Sequence, residues 1–205
     1  MERKNESMNR REALKVMGLA ALGAGIAAIP LAAAEPNTEP KAQGAAPGGS
    51  ARKRKVVLVN GSPHRKGCTY TALCEVEKTL NENGIETEIF WIGNNVQGGC
   101  VACHYCREHG KCVRDDTVNV FVEKAKTADG FIFGSPVHFA GPAGSMQSFM
   151  IRAFYCVRGS DVFADKPAAA VVSCRRAGAT AALDTMNKFF PICGMPIVPS
   201  QYWNM

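Results

Sequence analysis

The sequence lacks a strong excess of charge of one sign in the part that is expected to fold. Its formal net charge of +6 comes from 24 Lys and Arg and 18 Asp and Glu residues. Most of that excess lies before residue 56, and residues 56–205 carry 14 basic and 13 acidic side chains. A nucleic-acid-binding domain concentrates basic residues on its folded surface. We therefore expect no nucleic-acid partner.

The sequence also lacks the two common glycine motifs for nucleotides. It has no Gly-x-Gly-x-x-Gly of a dinucleotide-binding fold, and no Lys-Ser or Lys-Thr pair follows Gly67 as a P-loop requires. It has no internal repeat, which excludes solenoid and propeller architectures. Its 205 residues, of which 46% are hydrophobic, suit one globular domain.

The N-terminal segment lacks the long apolar run of a membrane-spanning helix. Its apolar stretch, residues 16–31, is short and interrupted by glycines. A twin-arginine pattern at 9–15 precedes this stretch, and three alanines at 32–34 follow it. We predict a twin-arginine signal peptide over residues 1–34, export by the twin-arginine machinery, and a location in the periplasm or on the outer face of the membrane. An uncleaved anchor is the alternative. Residues 35–54, rich in Pro, Gly, Ala and Ser, predict a flexible linker.

From residue 55 onward, apolar strands alternate with amphipathic helices, as is typical of a parallel α/β sheet. We predict strands at 56–60, 86–91, 130–133, 168–173 and 195–198, and helices at 69–83, 116–128, 143–157 and 177–190. These elements match a flavodoxin-like, doubly wound, five-stranded sheet of order 2-1-3-4-5 over residues 55–205. Because the sequence ends at Met205, we expect the final helix that would cover the fifth strand to be absent.

The third predicted helix carries a stripe of large apolar side chains. Its members are Met146, Phe149, Met150 and Phe154. We consider this stripe a candidate contact surface between subunits. A stripe that faces the core of the domain is the alternative, and it is the interpretation that we favour.

Glycine, hydroxyl and basic residues are concentrated between the first strand and the first helix. The loop from Gly61 to Thr69 reads Gly-Ser-Pro-His-Arg-Lys-Gly-Cys-Thr. Such a loop directs backbone N–H groups, hydroxyls and a helix N-terminus at one point, as a phosphate dianion requires. Thr69 is a candidate both to cap the helix and to bind the phosphate. An ordinary tight turn with a solvated basic patch is the alternative.

The motif Gly-Ser-Pro-x-x-x-Gly-x-Thr resembles the FMN-phosphate loop of NADPH-dependent FMN reductase-like flavoproteins. The resemblance extends over residues 55–204. It implies a flavodoxin-like fold, bound FMN, and NAD(P)H as a possible electron donor. The phosphate-binding residues that it implies are Ser62, His64, Arg65, Gly67, Cys68 and Thr69.

The same resemblance implies that two further loops border the flavin ring. The loop after the third strand contributes Pro136, Val137, His138 and Phe139, with His138 where the family commonly has Tyr. The loop after the fourth strand contributes Ser173, Arg175, Arg176 and Gly178. Both loops leave the carboxyl ends of parallel strands, where ligands bind in such folds. No side chain stands out as a catalytic acid or base, so we expect the chemistry to be that of the flavin.

Four of the nine cysteines fall in one loop, residues 98–112. Their spacing is Cys-x2-Cys-x2-Cys-x5-Cys, at Cys100, Cys103, Cys106 and Cys112. Three thiolates at three-residue steps can bind neighbouring irons of a compact cluster, and a fourth thiolate a few residues later can bind the remaining iron. The spacing therefore predicts a [4Fe–4S] cluster. Disulfides, free thiols and structural zinc are the alternatives, although zinc usually takes paired knuckles with a longer spacer. The compact spacing resembles that of the iron–sulfur flavoproteins, a branch of the same family.

Three functions are compatible with these motifs. The first is an enzyme that oxidises NAD(P)H and reduces a quinone, a flavin or another small acceptor. The second is an electron-transfer protein that takes single electrons from a ferredoxin-like donor. The third is a flavoprotein whose four cysteines form a structural metal site or a redox sensor. In a 2-1-3 strand order the cysteine loop and both FMN loops leave one edge of the sheet, which would allow electron transfer between the cofactors. The resemblance also implies a homodimer or homotetramer.

Overall fold

The central sheet determines where the loops of interest lie. The computed structural model describes residues 52–95 and 98–200. The strands are β1 Lys55–Asn60, β2 Glu86–Trp91, β3 Gly130–His138, β4 Gly141–Pro142 and β5 Ala168–Ser173. β1 pairs in parallel with both β2 and β3, and β3 pairs in parallel with β5, which gives the order β2-β1-β3-β5. The predicted α/β class and the order of the first four predicted strands are confirmed.

The predicted fifth strand forms only one β-bridge in the described part of the chain. Ile197 bridges Ala168 in parallel. Around this bridge, the Ala168 N–H donates to the Pro196 carbonyl at 2.9 Å and the Val198 N–H donates to the Ala168 carbonyl at 2.8 Å. Prolines at 196 and 199 flank the bridge, and proline disfavours a ladder because it has no N–H to donate. The apolar run at 195–198 therefore adds an edge contact and not a full strand.

Helices connect the strands as the sequence predicts, with one addition. They are α1 Cys68–Glu82, α2 Tyr105–His109, α3 Thr117–Thr127, α4 Gly144–Cys156 and α5 Ala179–Asn187, followed by a 3-10 turn at Pro191–Cys193. The short α2, inside the cysteine loop, was not predicted. α3 begins after Asp116, whose carboxylate accepts a hydrogen bond from the Val118 N–H at 3.1 Å, an N-cap of the usual kind.

The hydrophobic core lies mainly between the sheet and the pair α3 and α4. Phe121 of α3 contacts Phe149 of α4 with ring centroids 5.1 Å apart, and it meets Phe131 of β3 at 5.9 Å. On the opposite side of β3, a Cβ atom at Gly134 would lie 2.9 Å from Leu73 of α1. The small residue therefore lets α1 pack closely on the sheet.

The apolar stripe of α4 belongs to this core. Met146, Phe149 and Met150 have no exposed surface, and Phe154 is 5% exposed. The expectation of a subunit contact surface on this stripe is wrong, because packing against the sheet and α3 already buries it. The core-facing alternative is correct.

The predicted signal peptide, residues 1–34, lies outside the described residues, as does the linker up to residue 51. The expectation of a missing final helix falls on residues 201–205, which are also outside them. Among residues 52–95 and 98–200, no helix has both the length and the apolarity to cross a membrane.

Candidate functional site

The loop after β1 is organised by the last residue of that strand. The side-chain carbonyl of buried Asn60 accepts a hydrogen bond from the Ser62 N–H at 3.0 Å, and its amide donates to the Arg65 carbonyl at 3.1 Å. The Ser62 hydroxyl in turn accepts from the His64 N–H at 3.1 Å. These short-range bonds curl the chain around Ser62. Asn60 was not predicted to be a site residue. Its position, as a polar residue at the end of an apolar strand, could have indicated that role.

Trp91 holds the same loop from the neighbouring strand. Its indole N–H, at the end of β2, donates to the Ser62 carbonyl at 2.8 Å. The Arg65 guanidinium lies 5.7 Å from the Trp91 ring centroid, within the range of a cation–π interaction. Trp91 was predicted only as a strand residue. Its role depends on β2 lying beside β1, which the predicted strand order already implied.

Close packing with α4 fixes the start of the loop. The Gly61 N–H donates to the Gly134 carbonyl at 2.8 Å, which joins the ends of β1 and β3. A Cβ atom at Gly61 would lie 2.5 Å from the sulfur and 2.8 Å from the Cβ of Met146. Only glycine fits here without moving the α4 helix or its Met146 side chain.

Thr69 connects the loop after β1 to the loop after β5. It is 1% exposed, and its hydroxyl lies 2.8 Å from the Ser173 hydroxyl. The N-cap of α1 is Gly67, so the expectation that Thr69 caps this helix is wrong. Thr69 lies inside the first turn, where its side chain faces β5 and not the helix end.

The loop after β3 proves to be a tight hairpin. β3 continues to His138, and β4 pairs back on it with Val137 opposite Pro142. The turn residues Phe139 and Ala140 have φ values of +50° and +58°. Such angles cost non-glycine residues roughly 1–2 kcal/mol each, and strain of this kind often accompanies a binding loop. Phe139, at the tip, is fully exposed.

The loop after β5 packs directly on this hairpin. A Cβ atom at Gly178, whose φ is +89°, would lie 2.7 Å from the Cα of Ala140. Ser173 is paired with Pro136 across the β3 and β5 strands. Arg175 and Arg176 are exposed on the outer side of this loop. The three predicted FMN loops therefore meet at the carboxyl edge of the sheet.

The four cysteines of the 98–112 loop line a single pocket. Cys156, Arg152 and Tyr155 of α4 line it as well. Cys100 and Cys103 are exposed, whereas Cys106 and Cys112 are partly buried. The pocket thus has a solvent side and a side formed by the second half of α4.

The backbone of the cysteine loop bends sharply around this pocket. Ala102 and His104 have φ values of +54° and +63°, and Gly110 has +64°. The Ala102 N–H donates to the Cys100 sulfur at 3.4 Å. Left-handed residues thus stand on both sides of Cys103.

Cys112 is the most tightly held of the four cysteines. The Asn119 side chain of α3 accepts from the Cys112 N–H at 2.8 Å and donates to the Cys112 carbonyl at 3.0 Å. The Cys112 sulfur accepts a hydrogen bond from the Arg152 guanidinium at 3.2 Å. Both the backbone and the side chain of this cysteine are therefore positioned by neighbouring helices.

Arg152 is a buried cation beside the cysteines. It is 1% exposed and forms an ion pair with Asp116 at 2.6 Å. Burial works against the charged guanidinium, but its hydrogen bonds to Asp116 and Cys112 outweigh burial and raise the pKa of Arg152. An arginine between the buried Met150 and Ala153 was a signal in the sequence that our interpretation of the helix left unused.

A fifth cysteine adjoins the loop. Cys156, the last residue of α4, is 7% exposed. Burial, together with the adjacent Cys112 and Cys106, raises the pKa of the Cys156 thiol far above its ordinary value. Sequence spacing did not associate Cys156 with the other four cysteines.

The cysteines make no closed single-metal site and no disulfide in the described residues. All nine cysteines fall in that part of the chain, and all are free. Within residues 52–95 and 98–200, no three His, Cys, Asp or Glu side chains converge enough to hold one metal ion.

Comparison with known proteins adds three findings. The family model for NADPH-dependent FMN reductase matches residues 54–205. An iron–sulfur flavoprotein of Methanocaldococcus jannaschii is 33% identical over 145 residues, which cover 70% of this chain and 75% of that protein. An iron–sulfur flavoprotein of Archaeoglobus fulgidus is 29% identical over 98 residues, 48% of this chain and 44% of the relative.

The fold has counterparts among solved structures. The NAD(P)H:quinone oxidoreductase from Methanothermobacter marburgensis superposes with a TM-score of 0.56 at 16% identity, covering 72% of this chain and 82% of that one. At this identity the likeness concerns the fold alone.

Proposed function

We propose that this chain, which belongs to the NADPH-dependent FMN reductase family and is an FMN-dependent oxidoreductase, also binds a [4Fe–4S] cluster. It would transfer electrons to a small acceptor or a redox partner. The cluster ligands would be Cys100, Cys103, Cys106 and Cys112. The observation that carries the proposal is that all four line one pocket with Arg152. The Methanocaldococcus jannaschii relative, by its name an iron–sulfur flavoprotein, supports it.

The donor set of the pocket suits a cluster. Four cysteines are the ligands that a [4Fe–4S] cluster takes, each on its own iron, so the sulfurs need not converge on one point as they must for zinc. The Ala102 N–H and the Arg152 guanidinium already donate to cysteine sulfurs. Hydrogen bonds of this kind stabilise thiolate ligands and influence the potential of a cluster.

FMN would bind across the three loops at the carboxyl edge of the sheet. We assign the phosphate to the loop that Asn60 and Trp91 curl around Ser62, with the first turn of α1 adding backbone N–H groups. The hairpin that ends in Phe139 and the loop at Gly178 would border the ring. When bound, FMN supplies two-electron or one-electron transfer and the cluster supplies one-electron transfer.

Helix α4 connects the two sites. Met146 contacts the position of Gly61 in the phosphate loop, and Arg152 contacts Cys112. The two side chains are six residues apart, which is ~9 Å along a helix axis. The cysteine pocket is therefore lined by the second half of α4, whereas the phosphate loop packs on its first turn.

The first experiment is an absorption spectrum of the anaerobically purified full chain, with iron and acid-labile sulfide measured in parallel. We expect flavin bands plus a broad shoulder that bleaches on reduction. Cys103→Ser should lose iron, sulfide and the shoulder while keeping FMN. Cys74→Ser, on α1 and outside the pocket, is the matched control and should resemble the wild type. Flavin without iron in the wild type, after reconstitution, would refute the cluster and leave a simple reductase or a thiol site.

The electron donor separates two functions. NADPH that reduces the flavin without a mediator would support an NAD(P)H-dependent reductase. The exposure of Cys100 and Cys103 favours a second candidate, an electron-transfer protein, because it leaves one side of the site open to a protein such as a ferredoxin-like donor. Reduction by such a donor and not by NADPH would support this second function.

The proposal also covers the cellular location and the oligomeric state of the protein. We propose twin-arginine export to the periplasm or the outer face of the membrane on the basis of residues 9–34, and a homodimer or homotetramer on the basis of the family. Cell fractionation of the wild type beside a variant with Lys at both Arg10 and Arg11 would test the first. A wild type that stays in the cytoplasm would contradict it. Sedimentation of the purified protein would test the second, and a monomer would contradict it.

A further inference from the structure

We propose that Arg152 is a positioning residue for the cysteine site: together with Asp116 it holds the Cys112 thiolate and sets the reduction potential of the cluster. This inference rests on the proposed function. It concerns a buried ion pair that neither the spacing of the cysteines nor the flavin loops require.

The geometry concentrates three acceptors on one guanidinium nitrogen. The two N–H groups of the Arg152 Nη2 atom are shared among three acceptors: the Cys112 sulfur at 3.2 Å, the Asp116 carboxylate at 3.0 Å and the Arg114 carbonyl at 3.3 Å. The Nη1 atom donates to the other Asp116 oxygen at 2.6 Å. The guanidinium therefore bridges α4, the start of α3 and the last cysteine of the loop.

The charges of Arg152 and Asp116 indicate that this arrangement does more than pack the helices together. A buried arginine is costly unless it is paired, and Asp116 supplies that pair. A pair that served only to join the helices would not need to orient a donor at a sulfur atom. The hydrogen bond from Arg152 fixes the position of the Cys112 sulfur from the side of α4.

The two charges should act on the cluster in opposite directions. Reduction adds an electron, so the nearby cation stabilises the reduced cluster and the nearby anion destabilises it. Removing the charge of Arg152 should shift the potential to more negative values. Removing the charge of Asp116 should shift it to more positive values. A purely structural role predicts no such opposition, since both changes would simply loosen the same contact.

The variants can be chosen to keep the fold. Arg152→Met keeps the length of the side chain but removes its charge and its donors. Asp116→Asn keeps an N-cap for α3, because asparagine caps as well as aspartate. The double variant leaves no unpaired buried charge and is available if Arg152→Met fails to fold. Arg52→Met is the matched control, because Arg52 also pairs with an aspartate, Asp129, but lies outside the cysteine pocket.

The test is a redox titration of the anaerobic, cluster-loaded full chain, followed by electron paramagnetic resonance, with iron release to a chelator as a second readout. We expect opposite shifts for Arg152→Met and Asp116→Asn, and no shift for Arg52→Met. The double variant should shift to more negative values, because it loses the hydrogen bond to Cys112. Iron release from Arg152→Met should be about 10- to 100-fold faster, the usual effect of losing a group that orients a metal ligand.

The outcomes separate this inference from the proposed function. A wild type that carries a cluster, with variants whose potentials equal that of Arg52→Met, would overturn the role of Arg152 alone. Shifts of the same sign for both single variants would also overturn it, in favour of a structural contact. A wild type that binds no iron and no sulfide would overturn the proposed function and this inference with it.

Discussion

The phosphate loop and the cysteine loop are held in different ways. The phosphate loop is shaped by residues at the ends of its own and the neighbouring strand, through Asn60 and Trp91. The cysteine loop has local bonds of its own, such as that from the Gly110 N–H to the Cys106 carbonyl, but its last cysteine is held from outside by α3 and α4, through Asn119 and Arg152. A site at the end of a sheet is held in position by the sheet itself. A long loop beside the sheet is held in position by a few side-chain contacts.

The largest effect is expected from Gly61→Ala, which would break the phosphate loop at its closest contact. The added Cβ atom would meet Met146 at 2.5 Å from its sulfur, and overpacking of this kind costs about 1–3 kcal/mol. We expect the free energy of unfolding to fall by that amount and FMN affinity, measured by fluorescence titration, to fall with it, while iron content is retained. Gly144→Ala is the control, because a Cβ atom there has no neighbour within 4 Å. Equal losses in both variants would contradict the contact.

A slightly smaller effect is expected from Asn119→Ala, which tests the cysteine loop. The change removes the hydrogen bonds to the Cys112 N–H and carbonyl, and each such bond contributes about 1 kcal/mol. Iron retention against a chelator should fall, whereas FMN affinity should stay unchanged. Val120→Ala, at an exposed neighbouring position, should alter neither. An equal loss of FMN and iron would show that the loops are not held independently.

Trp91→Phe should have a moderate effect confined to the flavin. Phenylalanine keeps an aromatic ring beside Arg65 but removes the N–H that donates to the Ser62 carbonyl at 2.8 Å. The loss of one such bond costs about 0.5–1.5 kcal/mol. FMN affinity should fall by that amount in an equilibrium titration, with iron content as the internal control. An unchanged FMN affinity in this variant would show that the hydrogen bond from Trp91 does not contribute to FMN binding.

The smallest effect concerns β2, which supports both loops. Glu88 pairs with Lys124 at 2.6 Å and with Lys55 at 3.1 Å. The hydrogen bond from Lys124 lowers the pKa of Glu88, against the opposing effect of its partial burial. Because the folded-state pKa lies below the unfolded value of about 4.3, Glu88 stabilises the protein above that pH. This contribution is lost as the pH falls through the folded-state pKa.

Glu88→Gln should therefore flatten the acid side of the stability profile. The pair is near the surface, so the change in the free energy of unfolding at neutral pH should be at most about 1 kcal/mol. Urea unfolding at several pH values measures it, with Glu123→Gln, in an exposed pair with Lys126, as the control. An unchanged slope below pH ~5 would assign the acid sensitivity to other carboxylates.

Much of the proposed flavin site could be predicted from the sequence because it is local. The phosphate loop lies between a strand and a helix that periodicity predicts, and the strand order brings the loops after β3 and β5 beside it. The error at Thr69 has a simple cause: Gly67 ends the loop two residues earlier, so the hydroxyl faces Ser173 of β5. Local spacing shows which loop approaches a ligand. It does not show which way a side chain points within the first turn of the helix that follows.

Less of the cysteine site could be predicted. The spacing identifies four thiols, but Arg152 and Cys156 are separated from Cys112 by 40 or more residues and reach it only through the packing of α4. Their positions follow from the burial of the apolar stripe on that helix. Contacts that depend on the rotation of a helix about its axis are set by the whole core and not by a motif.

Helix α4 also bears on the order in which the protein is loaded. Met146 and Arg152 lie on one unbroken helix, so the two loops pack against the same element. Any gain in affinity that flavin conferred on the cysteine site through this helix would be returned in equal measure, by thermodynamic reciprocity. Inserting the flavin first or the cluster first would therefore change the route of maturation, while the total free energy of binding stays the same.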